Sequence, residues 1–231
     1  MHIQSEPPIL YFGTPVVVIS TVNEDGSFNL APMSSAFWLG WRCIIGLAAS
    51  SKTTQNILRT RECLLNLPSV DQVAAVNLLA KTTGSDPVPA GKQQKGYRHV
   101  KGKFELAGFT PVPSLTVEAP RANECPVQLE AALAAVHPIG EDEPAQQGKI
   151  ITFELRIQRV HLHPSILFNN DPNRIDPDKW KPLIMSFQQF YTLGEQVHAS
   201  TLAQIPEALY KTADMGIVRD LPNINRIFPN S

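Results

Sequence analysis

Two short segments of the 231-residue chain carry the side chains best suited to chemistry. The first is Ser50-Ser51-Lys52-Thr53, which sets hydroxyls, backbone N–H groups and one ammonium just ahead of the apolar pair Ile57-Leu58. Hydroxyl residues in that position mark a helix N-terminus. A helix start beside a lysine suits an anion, through the free N–H groups and the helix dipole together. An ordinary N-cap next to a surface lysine has the same pattern and is the commoner occurrence. Asn56, one turn into this helix, can bind a hydroxyl-rich ligand or cap the strand before it. The second segment is Asn29-Leu30-Ala31-Pro32-Met33-Ser34-Ser35-Ala36-Phe37, small and polar at its centre. On its residues alone it is equally a plain strand–loop junction.

Other reactive types are present without a working constellation. His161 and His163 fall on one face of a predicted strand, but they stand before Pro164 with no carboxylate close in sequence. No metal site is therefore expected. Cys43, Cys63 and Cys125 form an odd, sparse set without a C-x-x-C, and no base stands near Cys125 to stabilise a thiolate. Asp171 and Asp176 read as turn-forming acids. The chain lacks G-x-G-x-x-G, the phosphate-loop motif, G-x-S-x-G and H-E-x-x-H, which argues against the usual nucleotide, hydrolase and metalloprotease classes. Twenty Lys+Arg against 21 Asp+Glu give a net charge of −1, unlike a nucleic-acid binder. The N-terminus has no signal-peptide pattern and no apolar run approaches bilayer length, so the expectation is a cytoplasmic protein with free thiols and no membrane contact.

The elements that must position these residues are mostly strands. Pro15–Thr21 is β-branched, and the Asp25-Gly26 turn should fold a second strand straight back through Ser27–Ala31. Cys43–Ala48 and Glu62–Leu67 read as buried strands on either side of the Ser50–Arg59 helix, with Phe37–Trp41 as an aromatic loop. Asp71–Leu79 is amphipathic, and Lys103–Ala107 is a short helix ending at Gly108. Lys81–Gly96, rich in Gly and Pro, reads as a long surface loop of the kind that carries function. Cys125–Val136 and Ile150–His163 are long alternating strands joined by an acidic hairpin loop. The tail beyond Ala199 has a weak helical pattern, and Pro222–Ser231 reads as a segment that orders only against a partner. The sum is one β-rich domain over 1–231 with a core at about 9–194 and a tail at 195–231, closed as a barrel because its long strands need their edges covered.

The order of several motifs adds a resemblance. Asn29–Phe37, then Ser51–Ile57 running into Glu62–Leu67, then Phe109-Thr110-Pro111, Glu124–Glu130 and Tyr191-Thr192-Leu193-Gly194 together resemble the flavin reductase-like family of FMN-binding split β-barrels, its flavoredoxin-like branch in particular. The resemblance implies a mainly β, Greek-key-like antiparallel barrel with a few peripheral helices. It implies FMN as cofactor, with the phosphate at Ser50, Ser51, Lys52 and Thr53. The ring would lie along Pro32, Met33, Ser34, Ser35, Ala36 and Phe37, with Asn29, Asn56 and Tyr191 nearby. It also implies an oxidoreductase fed by NADH or NADPH, with no catalytic acid or base at the transfer step. A flavoredoxin-like electron carrier and a non-catalytic flavin sensor are the alternatives. The family places FMN at a two-fold interface, so a homodimer is expected, with Trp38, Trp41 and the C-terminal tail as candidate contacts.

Overall fold

A computed structural model describes residues 1–217. The Pro222–Ser231 expectation therefore lies outside the described residues. Seven antiparallel strands form the main sheet: β1 (Val17–Val22), β2 (Phe28–Met33), β3 (Ala36–Leu39), β4 (Arg42–Ala48), β5 (Glu62–Leu67), β6 (Val127–Ile139) and β7 (Ile150–Leu162). Their spatial order is β2-β1-β5-β6-β7-β4-β3. The two edges, β2 and β3, are consecutive in the chain and are joined only by Ser34-Ser35. The sheet thus curls until its edges stand one short link apart, without a ladder between them. This is a split barrel, mainly β, with four short helices among the described residues.

Two apolar layers explain why Val16-Val17-Val18-Ile19 shows no alternation. Val17 and Ile19 face a barrel core with Ile45, Leu65, Leu133, Phe153 and Leu155. Val16 and Val18 face the other way, into a second cluster with Leu30, Val76, Leu79, Phe104 and Phe109. A strand buried on both faces reads as a continuous apolar run. The outer layer is supplied by α2 (Val73–Leu79) and α4 (Lys103–Ala107), while α1 (Lys52–Thr60) closes one end of the barrel through buried Ile57. Gly108 ends α4 in the left-handed region at φ 69°, where a glycine carries no Cβ penalty.

Several local expectations change. Phe37–Trp41 is not a loop, because β3 pairs with β4 from Ala36↔Ile45 to Leu39↔Arg42. Its alternation turns Ala36 and Trp38 toward the core and leaves Phe37 and Leu39 exposed. Trp41 packs on the same core. The Lys81–Gly96 stretch is a folded flap: Thr82–Thr83 pairs in parallel with Arg98–His99, and α3 (Ala90–Gln93) lies between them. His161 has a carboxylate after all, since the hairpin brings Glu130 Oε1 within 2.7 Å of its Nε2. The tail makes two 3-10 turns, Thr201–Gln204 and Glu207–Tyr210, and ties back where Asp214 pairs with Arg42 at 2.8 Å.

Candidate functional site

A cleft of about 630 Å³ opens beside the gap between β2 and β3. Its apolar side is made by Val16, Met33, Val76, Leu79, Met185 and Phe190, and its polar side by Asn29, Ser51, Thr53, Thr82, Thr83 and four lysines. Those lysines are Lys52, Lys81, Lys92 and Lys103, and the lining contains no aspartate or glutamate. Concave, largely apolar sites with a few convergent polar groups, at roughly 300–1,000 Å³, are the form that cofactor pockets take.

Eight of the thirteen residues expected from sequence meet here: Asn29, Pro32, Met33, Ser34, Ser35, Ser51, Lys52 and Thr53. Five do not line the cleft. Ala36 is buried in the barrel core, and Phe37 points to solvent. Ser50 is exposed at the start of α1. Asn56 is sealed inside, donating to Thr21 Oγ1 at 2.9 Å and Asn23 Oδ1 at 2.8 Å. Tyr191 is exposed, and its neighbour Phe190 lines the cleft instead, because adjacent strand residues face opposite ways.

The local hydrogen bonding fixes these groups. Ser51 is the N-cap of α1, and its hydroxyl accepts from the Thr54 N–H at 3.1 Å. Lys52 donates to Glu24 Oε2 at 2.7 Å, and this bond holds the Glu24 carboxyl below its ordinary pKa. Asn29 is pinned at both ends of its amide: Nδ2 donates to Thr53 Oγ1 at 3.2 Å, and Oδ1 accepts from Lys103 Nζ at 3.0 Å. Lys103 also donates to the Leu30 carbonyl at 2.8 Å. Burial, helped by the Lys92 charge, lowers the Lys103 pKa to about 7. Lys92 donates to Thr83 Oγ1 at 3.1 Å, and burial lowers its pKa too. Gly84 closes the wall, since a Cβ there would stand 2.5 Å from Asn29 Oδ1 and 3.0 Å from the Lys52 Cγ. Beyond that wall lies a smaller polar cleft of about 290 Å³, which holds two ion pairs, Lys52 with Glu24 and Lys101 with Asp25, and Asp86 beside them.

Sequence reasoning missed Lys92, Lys103, Thr82, Thr83 and Phe190. A lysine opening Lys103-Phe104-Glu105-Leu106 reads as a solvated helix start, and only the packing of α4 under β2 buries it.

The remaining reactive types are quiet. Burial raises all three thiols, Cys43 to about 12, so none is a poised nucleophile. Among the described residues, no group of three or more His, Cys, Asp or Glu is placed to hold a metal ion. No helix among them is long and apolar enough to cross a membrane.

A split antiparallel barrel with a cleft at its gap, lined by apolar side chains and four lysines, defines the structural class. The chain matches the flavin reductase like domain over residues 9–194, and it belongs to that family. It is 36% identical over 192 residues to the uncharacterized protein YdfE of Bacillus subtilis, a match that spans 83% of this chain and 89% of that one. The flavoredoxin of Desulfovibrio vulgaris (Miyazaki F) shares the fold with a TM-score of 0.69 at 21% identity, covering 89% of this chain and 100% of its own. Component B of the nitrilotriacetate monooxygenase of Bacillus cereus does so with a TM-score of 0.65 at 21% identity, covering 81% and 88%. The family supports a flavin-binding oxidoreductase.

Proposed function

We propose that the protein binds FMN in this cleft and works as an NAD(P)H-dependent flavin reductase. One observation carries the reading: a single cleft joins an apolar wall to a cationic, hydroxyl-rich end with no carboxylate in its lining. A flat ring with an anionic tail needs that division. Met33, Val76, Leu79 and Phe190 would cover the ring. Ser34 and Ser35, with small side chains at the gap, would let backbone groups reach its polar edge. Ser51 and Thr53 at the start of α1 would meet the phosphate, where N–H groups and helix dipole favour an anion. FMN, when bound, would supply the acceptor for two electrons from a nicotinamide. The chain's own task is alignment and exclusion of water, which requires no acid–base pair.

Residues 1–231 then act as one unit in the cytoplasm, and within the described residues Asp214 ties the chain back to the barrel through Arg42. The proposed homodimer is supported by the exposed Phe37 and Leu39 on β3, near exposed Phe12 and Phe187, since such side chains are usually covered.

The deciding experiment is anaerobic mixing of the FMN-loaded protein with NADH or NADPH. Bleaching of the visible flavin band at a rate within an order of magnitude of about 10 s⁻¹, the median enzyme turnover, is expected. Protein that holds FMN yet keeps its colour for minutes in millimolar NADH and NADPH is no reductase. The electron-carrier or sensor role would then replace it.

A further inference from the structure

The charges of the cleft are unevenly compensated. Lys52 has Glu24 at 2.7 Å, whereas neither Lys92 nor Lys103 has a carboxylate partner among the described residues. Lys103 is only 2% exposed. Its bonds to Asn29 Oδ1 and the Leu30 carbonyl occupy two of three donors and bring no negative charge. A buried ammonium without a counter-ion is costly, and an anion that enters with a ligand removes the cost. Thr53 completes the geometry. Its oxygen accepts from Asn29, and no acceptor for its hydroxyl hydrogen is present among the described residues, so that hydrogen is available to the cleft. Lys103, Asn29 and Thr53 form one hydrogen-bonded chain from α4 to the start of α1, and each bond in such a chain polarises the next.

We propose that Lys103 and Lys92, rather than Lys52, are the principal charge partners of a phosphate in this cleft, with Thr53 as donor and Asn29 as the strut holding them in register. The identity of the phosphate as that of FMN rests on the reading above; the anion site itself does not. The same chemistry is offered by a nicotinamide dinucleotide or by free pyrophosphate, so the test separates these sources. A proton accompanies the anion. At pH 8 much of Lys103 is neutral, and an arriving dianion makes its amine take up one proton from solvent. The charge that acts on it is Lys92 from the flap, and the same cleft is lined by exposed Lys81 and by Lys52, which Glu24 already pairs.

The test is calorimetric titration at pH 8 in two buffers of different ionisation enthalpy. FMN, riboflavin, NADH and inorganic pyrophosphate are each added to wild type, Lys52→Ala, Lys92→Ala, Lys103→Met and Lys103→Arg. Lys92→Ala and Lys103→Met should lose about tenfold or more in FMN affinity while riboflavin changes less than about threefold. Lys52→Ala should change either flavin less than about threefold. Wild type should take up close to one proton per FMN, and Lys103→Arg, always charged, should keep affinity but take up none. The proposal is overturned if Lys52→Ala loses as much as Lys92→Ala, if riboflavin falls in step with FMN, or if no proton is taken up. It is equally overturned if the lysine variants weaken NADH alone. Should Lys103→Met not fold, Lys92→Ala and Lys103→Arg decide. If wild type binds neither flavin, the flavin reading fails by itself. Pyrophosphate binding lost in Lys92→Ala would then sustain the anion site, and no pyrophosphate binding would end it.

Discussion

Gly84 sits where only a hydrogen fits. Its would-be Cβ meets Asn29 Oδ1 at 2.5 Å, and that oxygen cannot swing away without leaving Lys103. Gly84→Ala is therefore expected to cost about 1–3 kcal/mol, the range for an overpacked site. Urea melts check it, and an unchanged midpoint would mean that the Asn29 strut yields freely. Lys103 makes a second prediction, about pH. The ligand-free folded protein holds its proton with a pKa of about 7, the unfolded chain with one near 10.4. Below pH 7 both states are protonated and the contribution is flat. Above it the unfolded state binds more protons, so stability rises with pH by up to about 1.4 kcal/mol per unit. The buried thiols work oppositely at higher pH. The folded state keeps the Cys43 proton to about 12 while the unfolded chain loses it earlier. Melts of wild type and Lys103→Met between about pH 7 and 8.5 isolate the lysine, because both proteins carry the same thiols. Wild type should gain on the variant as pH rises, and a constant difference would contradict an uncompensated buried ammonium.

Elements are held to one another by a few buried polar groups. Glu130 on β6 is fully buried and accepts from the Leu115 N–H at 2.8 Å, the Thr116 hydroxyl at 2.6 Å and His161 on β7 at 2.7 Å. It thereby fastens the loop before β6 to the β6–β7 hairpin. Burial pushes its carboxyl up, but the Thr116, Leu115 and His161 bonds outweigh it and leave the pKa below the ordinary value. A depressed carboxyl stabilises the fold above its unfolded pKa, near 4.3, and that contribution is lost as pH falls through the folded value. Glu130→Gln should cost about 1.5–3 kcal/mol at neutral pH, the worth of a hydrogen bond to a charged group, and should flatten the acid limb of the stability curve. Melts at pH 7 and pH 3 measure both. How much of this scale the sequence discloses depends on whether an element's faces differ. β7 alternates Thr152, Glu154 and Arg156 with Phe153, Leu155 and Ile157, and its strand is legible. β3 has four residues, three of them large and apolar, and reads as loop. The eight expected residues that line the cleft, on β2, in the Ser34-Ser35 link and at the α1 start, entered through the order of the motifs, because local cap and strand patterns alone fit an ordinary N-cap and a plain junction as well. The flap was not, because its shape depends on Thr82–Thr83 finding Arg98–His99. Phe190 and Tyr191 are both aromatic, so type alone cannot say which one faces inward.

At the scale of the whole molecule, one face of β3 stands open. Phe37 and Leu39 project from it into solvent, while Trp38 packs inward. The proposed homodimer places a second copy there. Light scattering at micromolar concentration with FMN should give twice the 25.5 kDa chain mass, and Phe37→Asp should shift it toward one. A wild-type monomer would reject the dimer; a dimer indifferent to Phe37→Asp would move its interface off β3. The same strand bears on selectivity through its neighbour. β2 and β3 bound the gap and are tied by Ser34-Ser35 alone. Met33 and Ala36 are three Cα steps apart, so the opening at that end cannot exceed about 11 Å, whatever the side chains do. The chain acts as its own calliper. Deleting one serine would narrow the jaw by up to about 3.8 Å, roughly the thickness of one aromatic ring, and inserting one would slacken it by as much. The width of the barrel's linked end is thus written in a count of residues, a quantity that point substitution cannot alter.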